Sequence, residues 1–450
     1  MTTLGFMINV EKSVLIPTHK ISYLGNIIDS EKMIVYLPPD KVANIVQETT
    51  KLLVKQEASI RQVAKVIGLL VSAFSAVEYG KLFYRYLEME KSRALKANFG
   101  NFDAVMNISS DMKIELAWWK NNVHSQVRHI SRSMPDMTII TDSSTKGWGL
   151  VYEGKTVNGR WTEREKEKHI NVLETLAVWL AIQSLSDKLA GKHIKVLSDS
   201  STAVCYIANM GGVRSRDCNE IARNIWSWCL ENNSWISITH IPGKSNVADA
   251  PSREFNDRIE WELDDEVFQQ LCKIWQTPEV DLFASRLNFK LDNYCSWKPD
   301  PSATFVDAFT VNWHDFDSVY IFAPFSLIIR CIQKIQNNQA RAIIIVPLWE
   351  TQMWFSPLMK LLVDVPIILP KTKHLLTLPH TDQVHPLADK LVMIACLVSG
   401  VNTETEDFLR KQPQSSWRLG DIQQKRDTRH IYKDGYSTVV KNKLIKFRRL

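Results

Sequence analysis

The sequence predicts a multidomain α/β protein, at whose centre lies a mixed five-stranded sheet with flanking helices. At 450 residues the chain is too long for one ordinary core. Residues 135–255 alternate strand-like and helix-like segments, the pattern of a mixed sheet with helices on its faces. A mostly helical region precedes this centre, and a second α/β pattern follows it.

The N-terminal part predicts short strands and then helices, with boundaries at 1–39 and 40–130. Ser59 is an expected N-cap for a helix from Ile60 to about Glu78. A second helix, Met112–Asn122, contains Trp118-Trp119, for which core packing is the favoured role over contact with a duplex. The predicted strands lie in the apolar stretches Leu4–Ile8, Ile21–Ile28 and Met33–Leu37.

The central part alternates apolar strands with amphipathic helices. The predicted strands are Thr138–Asp142, Gly147–Val151, Thr156–Trp161, His193–Leu197 and Trp235–His240. The predicted helices are Val172–Leu185, Thr202–Asn209, Arg216–Glu231 and a short one within Asn246–Ser252, which Asn246 is expected to cap. Gly147 and Gly149 are expected to let the chain reverse tightly after the first strand.

Four carboxylates in this central part are candidates for a metal site. Asp142 and Asp199 each end an apolar strand, Glu174 lies in the predicted first turn of a helix, and Asp249 lies early in the last helix. Each one alone has a structural explanation as a turn, a cap or a complement to the helix dipole. Together they predict convergence on two Mg²⁺ ions, about 3.5–4 Å apart, that hydrolyse a phosphodiester.

The third part, 275–400, predicts another α/β unit after the acidic stretch Asp257–Asp265. Its strand-like runs are Val280–Phe283, Val319–Phe322 and Ala342–Val346, with a helical segment at Leu327–Gln336. The last part, 401–450, is basic: from Lys425 to Leu450 there are nine Lys or Arg against two acids, so this stretch contributes +7 and the rest of the chain is near −1. Two interpretations of this tail stay open, a solvated end and a phosphate-binding arm.

Composition excludes several classes of protein. The seven cysteines have no CxxC pair and no zinc-ligand spacing, as expected in a reducing compartment. No apolar run approaches the roughly 18 residues needed to span a bilayer, and no signal peptide is evident. We therefore expect an intracellular protein, cytoplasmic or nuclear, with no membrane partner and no secretion.

The central motifs resemble type 1 ribonuclease H domains of retrotransposon polyproteins. The matching segments are TDSSTKGWGL (141–150), HINVLETLAVWLAI (169–182), VLSDSSTAVCYI (196–207) and HIPGKSNVADAPSR (240–253). The resemblance implies a ribonuclease H-like sheet and Mg²⁺, with Mn²⁺ as an alternative. It also implies that Asp142, Glu174, Asp199 and Asp249 act in cleavage of the RNA strand of RNA–DNA hybrids. Ser143 and Asn209 are further candidates for contact with the hybrid, against a turn or cap role.

The flanks resemble other parts of a DIRS-type retrotransposon polyprotein. Residues 4–38 resemble the end of a reverse transcriptase palm, with Tyr23-Leu24-Gly25 matching the turn that grips the primer end. Residues 40–125 resemble the thumb and connection that follow it. The motifs that bind the polymerase metals are not in this sequence, so no polymerase activity is expected. Tyr23 and Gly25 remain candidates for contact with a duplex.

The third part resembles the phage-type Dam methyltransferase-like region of the same elements. In such enzymes an Asn or Asp before Pro-Pro-Tyr/Phe holds the target amine, but here the position reads Ala323-Pro324-Phe325. We therefore expect a degenerate binding or structural unit. Three hypotheses follow: a retroelement-derived ribonuclease H, a catalytically silent nucleic-acid-binding relic, and an adenine methyltransferase. The intact set of four acids favours the first.

Overall fold

The computed structural model of the chain describes residues 16–257, 259–379, 383–415 and 436–450, together with residues 9, 13, 14, 381 and 422. The strand expected at Leu4–Ile8 lies outside these residues. Among them, no helix is both long and apolar enough to cross a lipid bilayer.

The N-terminal region combines short strands with four helices. These elements are β1 (Lys20–Tyr23), β2 (Asn26–Asp29), β3 (Ile34–Tyr36), α1 (Pro39–Leu53), β4 (Glu57–Ser59), α2 (Ile60–Val71), α3 (Arg85–Ala97), β5 (Val105–Asn107), α4 (Ser110–Asn122) and β6 (Arg128–His129). A small sheet has the order β1-β2-β3-β6. Leu24 and Gly25 form the turn between β1 and β2, with φ of 48° and 74°, conformations that glycine adopts at little cost.

The helix expected from Ile60 to Glu78 ends earlier than predicted. The Ser59 cap is confirmed, since its side chain accepts a hydrogen bond from the Gln62 amide, but α2 stops at Val71 and turns follow. At Gly80 the chain lies so close to the buried Trp119 ring that an added Cβ would be 2.9 Å from it. Such a contact between distant parts of the chain is one that local periodicity does not reveal.

The central region forms the predicted mixed five-stranded sheet with helices. Its elements are β7 (Met137–Ser143), β8 (Gly147–Tyr152), β9 (Lys155–Arg160), α5 (Glu163–Lys166), α6 (Ile170–Ser184), α7 (Ser186–Leu189), β10 (His193–Ser198), α8 (Ser201–Ala208), α9 (Arg216–Glu231), β11 (Trp235–His240) and α10 (Asp249–Arg253). The strand order is β11-β10-β7-β8-β9. Strand β10 is parallel to both β7 and β11, whereas β8 and β9 are antiparallel, so the expected fold class is confirmed.

Packing divides the chain into two compact units. The first unit consists of Met1–Asp142, His169–Trp179 and Asp187–Asn246, and the second of Ser143–Lys168, Leu180–Ser186 and Val247–Leu450. In the first unit the helical region shares a core with α9 and β11. The rings of Trp226 and Trp235 lie 4.8 Å apart, and the Arg132 guanidinium stacks 3.3 Å from the Trp235 ring. Trp119, buried in the same unit, confirms the packing role expected for it.

The third region, in the second unit, is built on a six-stranded sheet with the order β13-β16-β17-β20-β18-β23. Strands β13, β16 and β17 are parallel, and β20 runs antiparallel to β17. The elements are β12 (Glu262–Leu263), α11 (Asp265–Trp275), β13 (Val280–Asp281), β14 (Cys295–Ser296), β15 (Phe305–Val306), β16 (Val319–Ile321), α12 (Ile328–Asn338), β17 (Arg341–Pro347), α13 (Phe355–Met359), β18 (Ile367–Ile368), β19 (Leu376–Thr377), β20 (Met393–Ser399), α14 (Asn402–Lys411), β21 (Ser437–Val440), β22 (Lys443–Lys446) and β23 (Arg448–Arg449).

The described end of the basic tail is folded, so its interpretation as a solvated end is wrong for residues 436–450. Strands β21 and β22 form a hairpin, and β23 pairs with β18 at the edge of the six-stranded sheet. Ile445 and Phe447 are buried, with 0% and 2% of their surfaces exposed. The apolar residues between the basic ones anchor this segment, a role that net charge conceals. Residues 423–435 lie outside the described part.

Candidate metal centre

Three of the predicted carboxylates converge in the first unit. Asp142, Glu174 and Asp199 each place one carboxylate oxygen within 4.8 Å of the others. Asp142 is buried, whereas Glu174 and Asp199 are partly exposed. Ile140 of β7 lies opposite Leu197 of the parallel strand β10. The register therefore brings Asp142 and Asp199, each two residues further on, to the same level of the sheet.

Glu174 joins this pair from helix α6, at a position that differs from the expected one. The helix begins at Ile170, so Glu174 lies beyond the first turn, which contains no acidic residue. The favourable interaction of a carboxylate with the helix dipole falls off beyond that turn. The structural explanation for this glutamate is therefore weaker than the sequence suggests, and its place beside two aspartates favours a ligand role.

Asn246 is a site residue whose role the sequence prediction missed. It was expected to cap the last helix, but α10 begins at Asp249 with Ala248 at the cap position. Its buried side-chain amide instead donates to Asp142 Oδ1 at 3.1 Å and to Asp199 Oδ1 at 3.2 Å. A neutral donor shared by two carboxylates holds them at close range and reduces their mutual repulsion. No sequence signal distinguishes such an asparagine from a cap.

Two further residues border Asp199. A Cβ added at Gly243, in the short 3-10 helix Gly243–Ser245, would lie 3.0 Å from Asp199 Oδ2, so glycine leaves room beside that oxygen. The His240 ring donates from Nε2 to the backbone oxygen of Asp199 at 2.9 Å. His240 ends β11, as expected, and this contact is with the main chain of Asp199.

The fourth predicted carboxylate, Asp249, is not a member of the cluster of three. Its Oδ1 accepts a hydrogen bond from Arg253 at 2.6 Å, and its side chain is about half exposed. Within the second unit, α10 lies directly on β8. A Cβ on Gly149 would lie 2.7 Å from both Ala248 O and Ser252 N. Gly147 begins β8 shortly after the end of β7, as expected, and Gly149 lies within β8 and permits close packing of α10.

The remaining candidates for contact with a duplex stay predictions. Tyr23 is 59% exposed beside the turn that contains Gly25, and the side chain of Asn209 donates to Cys205 O at the end of α8. This end-of-helix contact is the structural role considered for Asn209 in the sequence. Ser143 is only 5% exposed, at the end of β7.

The donor set suits a hard divalent cation. Carboxylate oxygens are the ligands that Mg²⁺ prefers, and three of them within 4.8 Å concentrate negative charge that a cation would neutralise. The space that Gly243 leaves beside Asp199 Oδ2 fits such a ligand role. The side chains of Asp142, Glu174 and Asp199 are therefore suited to hold a metal ion.

A separate cavity of about 690 Å³ lies in the second unit beyond the ends of β13 and β16. Phe309, Phe322, Ala323 and Phe325 are among its mostly apolar lining. Ala323 is 3% exposed and offers no side-chain acceptor for an amine. Ala323, Pro324 and Phe325, which the sequence resemblance compares with the methyltransferase motif, thus lie on the wall of this cavity.

Comparison with known proteins gives only distant likenesses. No family model matches the chain, and no curated protein matches it. Ribonuclease H1 from Halobacterium salinarum is 19% identical over 26% of this chain and 92% of its own, with a TM-score of 0.21. The LC11 ribonuclease H1, isolated from compost, is 25% identical over 26% of this chain and 92% of its own, with a TM-score of 0.21.

Foamy viral protease-reverse transcriptase, solved in complex with an RNA/DNA hybrid, is 13% identical over 54% of this chain, with a TM-score of 0.23. The chain spans only 33% of the length of that viral protein. Because these TM-scores are low, the proposed function rests on the residues of the site itself.

Proposed function

We propose that the chain is a retroelement-derived ribonuclease H that hydrolyses the RNA strand of RNA–DNA hybrids with Mg²⁺, or Mn²⁺ in its place. The observation that carries the proposal is the convergence of Asp142, Glu174 and Asp199, whose oxygens lie within 4.8 Å of one another. Three like charges at this distance repel each other. A cluster with this cost is best explained by a cation that the three residues bind together.

The exposure of the cluster favours a catalytic metal over a structural one. Asp142 is buried, but Glu174 and Asp199 keep part of their surface open to solvent. A structural metal is enclosed by its protein ligands, whereas a catalytic metal keeps positions open for water and substrate. An open carboxylate cluster at the end of two core strands is suited to phosphodiester hydrolysis.

The residues have separate roles in this proposal. Divalent cations, when bound, would activate water and neutralise the charge that develops on the phosphate. Asp142, Glu174 and Asp199 would hold them, with Asp249 proposed as a further ligand. Asn246 is a positioning residue, because its amide donates to Asp142 and Asp199 and holds them close together. The choice of an RNA–DNA hybrid, and of a retroelement origin, rests on the resemblance of the four sequence segments.

The test is cleavage of an end-labelled RNA–DNA hybrid in Mg²⁺. A bound metal ion supplies several kcal/mol of transition-state stabilisation. Asp199→Asn removes a ligand of that ion and is therefore expected to slow cleavage by at least about a hundredfold. Asp103→Asn is the matched control, because Asp103 is exposed and pairs with Arg61 in the helical region. The wild-type chain failing to cleave in Mg²⁺ or Mn²⁺, or Asp199→Asn cleaving at the wild-type rate, would contradict the proposal.

A further inference from the structure

Strand β9 forms one edge of the five-stranded sheet, and the third region of the chain contacts it. Both belong to the second unit, together with β8 and α10. Within this unit Asn158 of β9 contacts α10 on one side and Lys298 of the third region on the other. Helix α10 carries Asp249, the carboxylate proposed as a further metal ligand. The contacts of Asn158 therefore connect the third region with this candidate ligand.

The side-chain amide of Asn158 binds the end of α10. Its Nδ2 donates to Pro251 O at 3.0 Å and to Glu254 O, at the C-cap position, at 2.6 Å. The last carbonyls of a helix have no partner within the helix, so they need donors from elsewhere. An asparagine amide has two N–H groups, one for each of these carbonyls. A side chain of the neighbouring strand thus supplies the hydrogen bonds that close this short helix.

Gly149 of β8 lies opposite Asn158 in the sheet and contributes to the same contact. A Cβ at Gly149 would lie 2.7 Å from backbone atoms of α10, so glycine allows the helix to approach the strand closely. Asp249 pairs with Arg253 at the surface, where ion pairs contribute little. The position of Asp249 is therefore set by the strand pair that holds α10, and not by this ion pair.

Lys298 binds the other end of the Asn158 amide. Its Nζ donates to Asn158 Oδ1 at 3.0 Å. A donor at Oδ1 favours the orientation of the amide in which Nδ2 faces the carbonyls of α10. Burial lowers the pKa of Lys298, whereas nearby carboxylates, those of Glu260 and Asp300 foremost, raise it. This lysine is therefore held within the second unit, beside the strand that it contacts.

Two arginines hold the adjoining part of β9. Arg160, the last residue of the strand, pairs with Asp257 and stacks 4.4 Å from the Phe255 ring. Arg286 of the third region places its Nη2 2.6 Å from Glu165 Oε1, and both side chains are mostly shielded from solvent. Shielded ion pairs are screened less by salt than surface pairs are. The third region thus holds the edge of the sheet at more than one point.

Asparagines that close helices are common, and most have only a local role. Asn98, for example, donates to Ala94 O at the end of its own helix, α3. Asn158 differs in that it lies on another element than the helix that it closes, and in that a third element, which contains Lys298, orients its amide. The helix that it closes also carries a candidate metal ligand.

We propose that Asn158 is a positioning residue for metal binding by Asp249, and that Lys298 makes the third region part of this support. The inference rests on the proposed function, because it takes Asp249 as a ligand. It gives the third region a role that needs neither methyl transfer nor a ligand in its cavity. Partners that orient a metal ligand contribute about ten- to a hundredfold to metal affinity.

The experiment measures Mn²⁺ binding to the full chain by calorimetric titration, without substrate. Asp249→Asn first defines the part of the binding that depends on Asp249. Asn158→Ala is expected to weaken Mn²⁺ binding by about tenfold when Asp249 is present. In the Asp249→Asn background the same substitution should change the affinity by less than about twofold, because Asn158 acts through Asp249. A general loss of stability would instead weaken binding equally in both backgrounds.

Lys298 is tested by Lys298→Met, which removes the ammonium group and keeps most of the apolar chain. Loss of one hydrogen bond should weaken Mn²⁺ binding by about fivefold. Lys298→Gln keeps an N–H donor and should bind Mn²⁺ more tightly than Lys298→Met. If circular dichroism shows that Asn158→Ala is unfolded, Lys298→Met in the two backgrounds of Asp249 replaces it.

Two matched controls remove similar contacts elsewhere. Lys334 of the third region also donates to a neutral oxygen, that of Phe309, at 3.0 Å. Lys334→Met should leave Mn²⁺ binding unchanged. Asn98→Ala removes a helix-closing amide in the first unit and should also leave it unchanged. Weaker binding in either control, to the extent seen in Asn158→Ala, would contradict the inference.

Three further results would overturn it: equal loss of affinity in both backgrounds of Asp249, wild-type affinity in Asn158→Ala, or wild-type affinity in Asp249→Asn. The proposed function fails separately, in the cleavage assay. A chain that binds Mn²⁺ through Asp249 and Asn158 but does not cut the hybrid keeps the positioning role and loses the proposed function. A chain that cuts the hybrid while Asn158→Ala binds Mn²⁺ normally gives the opposite result.

Discussion

Both large sheets of this chain carry an aspartate where a core strand ends, and the two edges differ in what surrounds it. At the five-stranded sheet, Asp142 and Asp199 end neighbouring parallel strands and meet Glu174. At the six-stranded sheet, Asp281 ends β13 and is 2% exposed. Its oxygens accept hydrogen bonds from the backbone amides of Phe283 at 3.3 Å and Lys290 at 3.1 Å.

The neighbouring strand accounts for the difference. Strand β16 lies parallel to β13 and places Tyr320 opposite Asp281, with Ala323 further on, so this neighbour supplies no second carboxylate. Asp281 therefore closes the loop that follows its own strand. Asp142 has an acid at the same level of the next strand, and Asn246 holds the two together. A strand-end aspartate becomes a ligand candidate only when the register delivers a second one.

The largest effect on stability is expected at Asp281. Burial raises its pKa from 3.8 to about 6. The folded chain thus binds this proton more tightly than the unfolded chain. The stability due to the group is complete below about pH 4 and is lost as pH rises to about 6. The loss amounts to about 3 kcal/mol.

Asp281→Asn, which does not titrate, is expected to remove this part of the pH dependence. Urea unfolding gives the free energy of unfolding of the wild type and of Asp281→Asn at several pH values between about 4 and 6. The pH dependence due to Asp281 is the change, over this range, in the difference between the two free energies. Burial also raises the pKa of Glu115, to about 7, but that contribution is common to both proteins and cancels. Parallel pH profiles would show that Asp281 is not the buried acid inferred here.

An intermediate effect on stability is expected at Gly149, in strand β8 of the five-stranded sheet. A Cβ there would lie 2.7 Å from backbone atoms of α10. Gly149→Ala should therefore lower the free energy of unfolding by about 2 kcal/mol. Gly68→Ala is the matched control: nothing lies within 4 Å of its Cβ position in α2, so the same change there should stabilise the helix by about 0.5–1 kcal/mol. Equal effects at both glycines would refute the close packing of β8 and α10.

The smallest effect is expected at Asn246. The substitution Asn246→Ala removes the donor shared by Asp142 and Asp199. In metal-free buffer it should lower the free energy of unfolding by about 1 kcal/mol. If the carboxylates bind Mg²⁺, the cation neutralises the same repulsion. Addition of Mg²⁺ should then raise the melting temperature of Asn246→Ala more than that of the wild type. An equal rise in both proteins would separate Asn246 from the metal site.

Much of the fold followed from local pattern. Apolar segments located the five strands of the central sheet and three strands of the six-stranded sheet, β13, β16 and β17, whereas β18, β20 and β23 were not predicted. The Ser59 cap is also confirmed, and three of the four predicted carboxylates lie together in the structure. Glu174 was a candidate because of its residue type and its spacing from the other acids, and neither depends on the residue at which α6 begins.

What the sequence by itself determined is the set of elements and the residue types that chemistry needs, since both depend on neighbours along the chain. Tertiary structure decided which of those residues meet. It ended α2 at Val71, and it placed Asn246 between two carboxylates instead of on a helix. It also folded the end of the basic tail onto the sheet. The physical reason is that strand register and close packing join residues far apart in sequence, and no local pattern encodes those contacts.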